Sequence, residues 1–155
     1  MKIVDSSVKT CAFTLTVESG TAPDFIDITD EIVKFVKLSQ ISNGIVVVYS
    51  KHTTAAITIQ EAEPLLLKDM INLLERLVPP DSKYGHNDFS IRTVHMHENE
   101  CPNGHSHCQH LILGTSETIP VIDNQLTLGE WQRIFMIELD PERDRRDVLV
   151  QIMGA

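Results

Sequence analysis

The chain has 155 residues, 42% of them apolar, and a formal charge of −9 from 13 Lys and Arg against 22 Asp and Glu. This length buries enough surface for one core, so residues 1–155 are expected to form a single domain. The acidic balance argues against a nucleic-acid partner, since phosphate contacts need a cationic face, and no apolar run approaches the roughly 20 residues of a membrane helix.

The ends of the chain and the cysteines point to the cytoplasm. Residues 1–10 lack the basic start and apolar stretch of a signal peptide. Cys11, Cys101 and Cys108 are an odd number without disulfide spacing, which favours reduced thiols. We therefore expect a cytoplasmic protein with no membrane partner.

The elements before residue 80 follow clear patterns. Residues 10–17 alternate apolar and polar side chains, which predicts a half-buried strand. A helix is predicted over 29–38, with Thr29 as its N-cap, and strands over 45–50 and 55–60. Pro64 suits the first turn of a second helix, whose apolar residues recur at helical spacing up to Leu77.

The remaining sequence predicts a long loop and several strands. Residues 81–104 are polar and irregular apart from a possible strand at 89–95, and a loop of that length is often functional. A short helix is predicted over 106–113, and strands are predicted over 117–122, 133–139 and 147–153. Two main helices on a mostly antiparallel sheet give an α+β fold.

Histidines are the residues that carry chemistry in this sequence. There are seven, and five of them fall between residues 95 and 110. A neutral imidazole is a common metal ligand and also a general acid or base. In the segment 101–110, CPNGHSHCQH, an extended backbone would place His105 and His107 on one face, whereas a helix capped by Ser106 would place His107 and His110 on one face. The segment is therefore either a site or a solvated loop. A Cys/His zinc site that includes Cys101 and Cys108 is a weaker alternative, because no zinc-finger spacing is present.

The other histidines have both a structural and a functional interpretation. His52 follows a predicted strand and precedes small residues, so it is either structural or a ligand. His86 lies in a polar loop, where simple exposure is the alternative to binding. His95 and His97 alternate with Val94 and Met96, which predicts that they lie on the polar face of a strand edge.

Several further residues each have two possible roles. Glu61 is either an exposed carboxylate before a helix or a group that orients an imidazole or moves a proton. The single tryptophan, Trp131, favours core packing, while Gln132 beside it can bind a polar ligand group. The charged run 143–146 is predicted to form a solvated hairpin tip, and a phosphate clamp is the alternative.

Residues 52–61 read HTTAAITIQE, and residues 103–107 read NGHSH. The first segment resembles the His-Thr-[Ser/Thr]-Ala motif, and the second matches the Asn-Gly/Ala-His-Ser-His form, of the YjbQ-like (secondary thiamine-phosphate synthase) family, which the chain resembles along nearly its whole length. Agreement continues at 77–79, 84–86, 114–120 and 126–132. Each motif alone is weak, but their occurrence in order is specific. Glu130, residues 98–102 and His110 depart from the family pattern.

The resemblance implies an α+β fold, a homotrimer and a pocket lined by histidines that holds a divalent metal, with zinc as the expected ion. His52, His86 and His107 match family-wide positions and are the expected metal ligands. We expect His105, which matches one branch of the family, or Glu61 to carry the proton, and Thr53, Asn103 and Gln132 to bind polar groups of the substrate.

The implied activity joins a thiazole phosphate to hydroxymethylpyrimidine diphosphate and releases pyrophosphate. A small phosphorylated substrate is therefore the expected partner. Two rival hypotheses are a non-catalytic trimeric protein that binds a metal or ligand, and a metal-dependent hydrolase in which Glu61 activates a metal-bound water.

Overall fold

A computed structural model describes residues 7–155, so the first six residues of the segment considered for a signal peptide lie outside the described range. Within it, eight strands alternate with three α-helices and one short 3₁₀ helix. The helices are α1 (Thr29–Ser39), α2 (Pro64–Leu77) and α3 (Gly104–Leu113), and the 3₁₀ helix is Gly85–Asn87. The strands are β1 (Lys9–Glu18), β2 (Asp24–Asp27), β3 (Gly44–Ser50), β4 (Ala55–Glu61), β5 (Ser116–Ile122), β6 (Gln125–Leu126), β7 (Gln132–Glu138) and β8 (Arg145–Gly154).

The strands form two antiparallel sheets. The larger sheet has the order β1-β8-β3-β5-β6, and the smaller has the order β2-β7-β4. In the larger sheet, Val150 of β8 lies opposite Phe13 on one side and Val48 on the other. This architecture confirms the predicted α+β class with mostly antiparallel strands.

The central strand of the small sheet, β7, is buried on both faces. Side chains alternate across a strand, so successive residues of β7 enter two different cores. Ile134 and Met136 pack with the large sheet and α1, whereas Phe135 and Ile137 pack with Leu74 of α2. The small sheet therefore lies between the large sheet and the helices α2 and α3.

Most predicted elements are present, with bounds that differ by a few residues. The third helix, predicted from residue 106, begins at Gly104. The predicted cap of α1 is wrong: Ile28 is the N-cap, and the Asp27 carboxylate accepts hydrogen bonds from the backbone N–H of Thr29 at 2.9 Å and from its hydroxyl at 2.6 Å.

Three other expectations differ from the structure. Residues 89–95 form turns and irregular backbone instead of a strand. Trp131 is 66% exposed, so it does not belong to the core. The charged run 143–146 is not a solvated hairpin tip: β7 and β8 belong to different sheets, and Arg146, in β8, is only 5% exposed and pairs with Glu138, the last residue of β7.

No helix within residues 7–155 has the length and apolar character needed to cross a membrane. The cytoplasmic location stays a prediction.

Candidate functional site

The candidate site is a cavity of about 560 Å³ at the carboxyl end of β3. Four parts of the chain form its wall: the residues that follow β3, the loop around 86–100, the start of α3, and the connection from β7 to β8 with the first residues of β8. The lining residues are Lys51, His52, Thr53, Thr54, His86, Arg92, His95, His97, Glu100, Asn103, His107, Asp140, Arg143, Arg145 and Arg146.

His52 is fixed in one tautomer by a backbone contact. Its Nε2 lies 3.1 Å from the backbone nitrogen of Asp147, and because a backbone N–H only donates, Nε2 accepts this hydrogen bond. The proton of the neutral ring is then on Nδ1. Burial, followed by the nearby Arg146 guanidinium, lowers the pKa of His52, so the ring is neutral at pH 7.

His86 and His107 form a close pair on the cavity wall. Their ring centroids lie 4.6 Å apart with an interplanar angle of 63°. His86 belongs to the 3₁₀ helix and His107 to the first turn of α3. Burial lowers the pKa of His107, and the proximity of His86 lowers it further.

A glycine allows α3 to approach the 3₁₀ helix closely enough for this pairing. A Cβ at Gly104 would lie 2.6 Å from Cβ of Tyr84, too close for any larger residue without a shift. The Gly104 N–H also donates to Oδ1 of Asn87 at 2.8 Å. These two contacts set the position of His107 relative to His86.

Asp140 and Asn103 form a polar pair at the base of the site. The Asn103 amide donates to the Asp140 carboxylate at 2.9 Å, and Nε of Arg143 lies 3.5 Å from the same oxygen. Burial acts to raise the pKa of Asp140, but the hydrogen bonds from Asn103 and from the backbone N–H of Glu142 outweigh it and hold the pKa below its ordinary value. Asp140 is therefore an anion that orients Asn103.

Arg146 is held in the cavity wall by a buried, two-pronged ion pair. Its Nε and Nη2 donate to the two carboxylate oxygens of Glu138, each at 2.6 Å. Nη2 also donates to the Thr54 hydroxyl at 2.9 Å. The planar guanidinium matches a carboxylate in this geometry, so Arg146 is rigid as well as charged.

The structure brings five of the eight predicted site residues to this cavity. They are His52, Thr53, His86, Asn103 and His107.

The other three predicted site residues do not line the cavity. His105 is buried on α3, with its Nε2 3.4 Å from the Ser106 hydroxyl. Glu61 and Gln132 are paired between β4 and β7, and Glu61 lines a separate depression together with Trp131.

Sequence reasoning missed several cavity residues. Lys51 adjoins His52 at a strand end, which was the available signal for it. No sequence pattern around Arg92 or Asp140 indicates that they line the cavity, because their positions depend on contacts between distant segments. His95 and His97 were assigned to a strand edge, yet they lie in an irregular loop that reaches the cavity.

The predicted three-histidine metal site does not fit this arrangement. Among residues 7–155, no three His, Cys, Asp or Glu side chains are grouped so that they could hold an ion. The lone pair that His52 would offer a metal already accepts the Asp147 N–H. His86 and His107 alone fall short of the three or four donors that zinc requires. Zinc binding by this protein stays a prediction.

A family model described as UPF0047 protein YjbQ-like matches residues 13–155. A UPF0047 protein from Methanothermobacter thermautotrophicus is 41% identical over 131 residues, which are 84% of this chain and 83% of the relative. The UPF0047 protein YugU from Bacillus subtilis is 31% identical over 142 residues, covering 91% of this chain and 98% of the relative.

Solved structures agree with the fold. A YbjQ-like protein of unknown function from Sulfolobus solfataricus superposes with a TM-score of 0.86 at 30% identity, over 96% of this chain and 100% of that one. A YjbQ/UPF0047 family protein from Clostridium acetobutylicum gives a TM-score of 0.78 at 32% identity, over 90% and 98%. These names state no activity, so the synthase reaction stays a prediction.

Proposed function

The chain belongs to the UPF0047 protein YjbQ-like family, and from the chemistry of its cavity we propose that it is an enzyme acting on a small phosphorylated substrate. The reaction that the sequence resemblance favours is thiamine-phosphate synthase-type condensation, in which thiazole phosphate replaces the pyrophosphate of hydroxymethylpyrimidine diphosphate.

The sign of the charge in the cavity supports this proposal most strongly. The protein carries a formal charge of −9, yet five Lys or Arg side chains and only two carboxylates line the cavity. Five of the seven histidines add further N–H donors. Such a concentration of cations in an acidic protein attracts a phosphate or diphosphate group.

Two of the cations are available for an anionic ligand. Arg92, Arg143 and Arg146 each pair with a carboxylate. Within the described residues, Lys51 and Arg145 have no ion-pair partner. Lys51 and Arg145 are therefore proposed to bind the phosphate, and the paired arginines to maintain the positive potential around it.

The histidines are proposed to donate hydrogen bonds and transfer protons at the same site. His52 acts as a neutral N–H donor, since its other nitrogen is occupied by the Asp147 amide. Because burial lowers the pKa of His107, a proton on its ring is given up readily, so His107, with His86 beside it, can pass a proton to the pyrophosphate oxygen released when the C–O bond breaks. Stabilising a leaving pyrophosphate then falls to the fixed cations, which need no reorganisation during the reaction.

A homotrimer remains part of the proposal. Three leucines of α2, Leu65, Leu73 and Leu77, are between 44% and 66% exposed. Packing α2 against a neighbouring copy would remove this apolar surface from water.

Binding of inorganic pyrophosphate, measured by isothermal titration calorimetry, tests the substrate class. We expect saturable binding that Lys51→Met weakens about tenfold, because it removes one charge-assisted contact. Lys68→Met is the matched control: Lys68 lies on the exposed side of α2, so this variant should bind like the wild type. Absence of pyrophosphate binding, or equal weakening by both variants, would contradict the proposal.

Pyrophosphate release from the two thiamine precursors tests the reaction. We expect turnover that His107→Ala abolishes while pyrophosphate binding persists. Binding without turnover of these precursors or of generic phosphoesters would instead support the non-catalytic binding protein. Phosphoester hydrolysis without condensation would support the hydrolase.

A further inference from the structure

Two of the histidines that line the cavity lie where no regular backbone structure holds them. His95 and His97 belong to the loop 88–102, which contains neither helix nor strand. His95 also adopts a φ of +52°, in the left-handed region. A non-glycine residue there costs about 1–2 kcal/mol, so side-chain contacts must hold the loop in this shape.

One arginine supplies most of those contacts. Nη2 of Arg92 donates to the backbone carbonyl of His95 at 2.7 Å. Nη1 donates to the Glu100 carboxylate at 2.7 Å and to the backbone carbonyl of His86 at 3.4 Å. The other oxygen of Glu100 accepts the backbone N–H of His97 at 3.3 Å.

The Arg92–Glu100 pair therefore contacts the backbone of three of the five histidines that line the cavity. Both side chains are largely buried, at 12% and 14% exposed, so water screens this pair less than it screens a surface ion pair. The contacts also use the flat, forked shape of the guanidinium, because two of its nitrogens reach different acceptors: Nη2 the His95 carbonyl, and Nη1 the Glu100 carboxylate and the His86 carbonyl. A lysine donates all its hydrogen bonds from a single nitrogen on a flexible stem, so it cannot reproduce this spaced, planar arrangement.

We propose that Arg92 and Glu100 form a clasp that positions His95 and His97 on the cavity wall, where these two imidazoles bind the anionic part of the substrate. Arg92 is thus a positioning residue: its charge is paired with Glu100, and its role is to hold the loop. This inference rests on the proposed binding of a phosphorylated substrate.

The test is a thermodynamic cycle with inorganic pyrophosphate as the ligand. Arg92→Lys keeps the charge and removes the fork, so it should weaken binding about tenfold, as should His95→Ala/His97→Ala. Because both changes remove the same two imidazoles, the triple variant should bind no more weakly than the double variant. If the triple variant instead lost affinity by the product of the two fold-changes, Arg92 would act on the ligand independently of His95 and His97, and the proposal would be overturned.

Arg133→Lys is the matched control. Arg133 makes an ion pair with Asp27 at the same 2.7 Å distance but does not line the cavity, so its variant should bind like the wild type. Equal weakening by Arg92→Lys and Arg133→Lys would indicate a general loss of structure and would count against the clasp.

The imidazole signals of His95 and His97, followed by NMR without ligand, separate the clasp from the proposed function. If the wild type fails to bind pyrophosphate, the proposed function is wrong. The clasp still predicts that Arg92→Lys shifts or broadens these two signals and leaves that of His52 in place. Unchanged signals for His95 and His97 would overturn the clasp whatever the ligand result.

Discussion

The ion pair behind the cavity offers a quantitative test of the structure. Glu138 is fully buried and Arg146 is 5% exposed. Both carboxylate oxygens of Glu138 accept hydrogen bonds from Arg146. Oε2 also accepts one from the Ser19 hydroxyl, and Oε1 accepts one from the backbone N–H of Asp140. Glu138→Gln replaces one of these oxygens with an NH₂ group. Whichever way the glutamine amide is oriented, this NH₂ group then faces N–H or O–H donors that it cannot accept from, and the buried Arg146 guanidinium loses its counter-charge.

Breaking a buried pair by neutralising one partner costs about 3–5 kcal/mol. At about 3 °C per kcal/mol for a chain of this size, Glu138→Gln should lower the Tm by about 10 °C or more. The control is Asp30→Asn, because Asp30 is 73% exposed and its ion pair with Arg133 is worth at most about 1 kcal/mol.

The assay is urea unfolding at fixed protein concentration, with thermal unfolding as a second measure. Arg146→Met should cost less in the Glu138→Gln background than in the wild type, since the pair is already broken. Equal losses of stability in Glu138→Gln and Asp30→Asn would refute the reasoning, because they would mean that burial of this pair has no energetic consequence.

Three further predictions follow from the fold and the site. Gly104→Ala should weaken pyrophosphate binding and lower the Tm, because its Cβ would clash with Tyr84; Gly85→Ala, with nothing within 4 Å of its added Cβ, should do neither. Burial lowers the pKa of four histidines in the folded protein, so as the pH falls the unfolded state binds protons before the folded state does. The free energy of unfolding should therefore fall as the pH drops below about 6.5. A free energy of unfolding that stays constant in urea titrations between about pH 7.5 and 5.5 would argue against the burial of these histidines. Light scattering should give a trimer mass that Leu73→Glu lowers, and an unchanged mass in that variant would exclude this face of α2 from the interface.

Local patterns in the sequence predicted the regular elements well. The alternation in β1 and the helical spacing after Pro64 each reflect one buried face, which a single segment reports by itself. The prediction of a strand at 89–95 was wrong because these seven residues have no neighbouring strand to pair with. The prediction that Trp131 packs in the core was wrong because its exposure depends on what surrounds the connection between β6 and β7.

The candidate site was only partly accessible to sequence reasoning. The histidines at 52, 86 and 107 were selected by resemblance to known sequences, and the structure places them around one cavity. The role of Arg92 depends on an arginine, a glutamate and three backbone positions that meet only when the loop is folded. The tautomer of His52 likewise depends on a backbone amide 95 residues away.

The most direct test of the central claim is a titration of the protein with pyrophosphate while the histidine ring signals are followed by NMR. The account predicts saturable shifts for His52, His86 and His107, which line the cavity, and none for the buried His105, which does not. Shifts confined to His105 and His110, which do not line the cavity, or no saturable shift at any histidine, would contradict the claim that this cationic cavity binds a phosphorylated ligand.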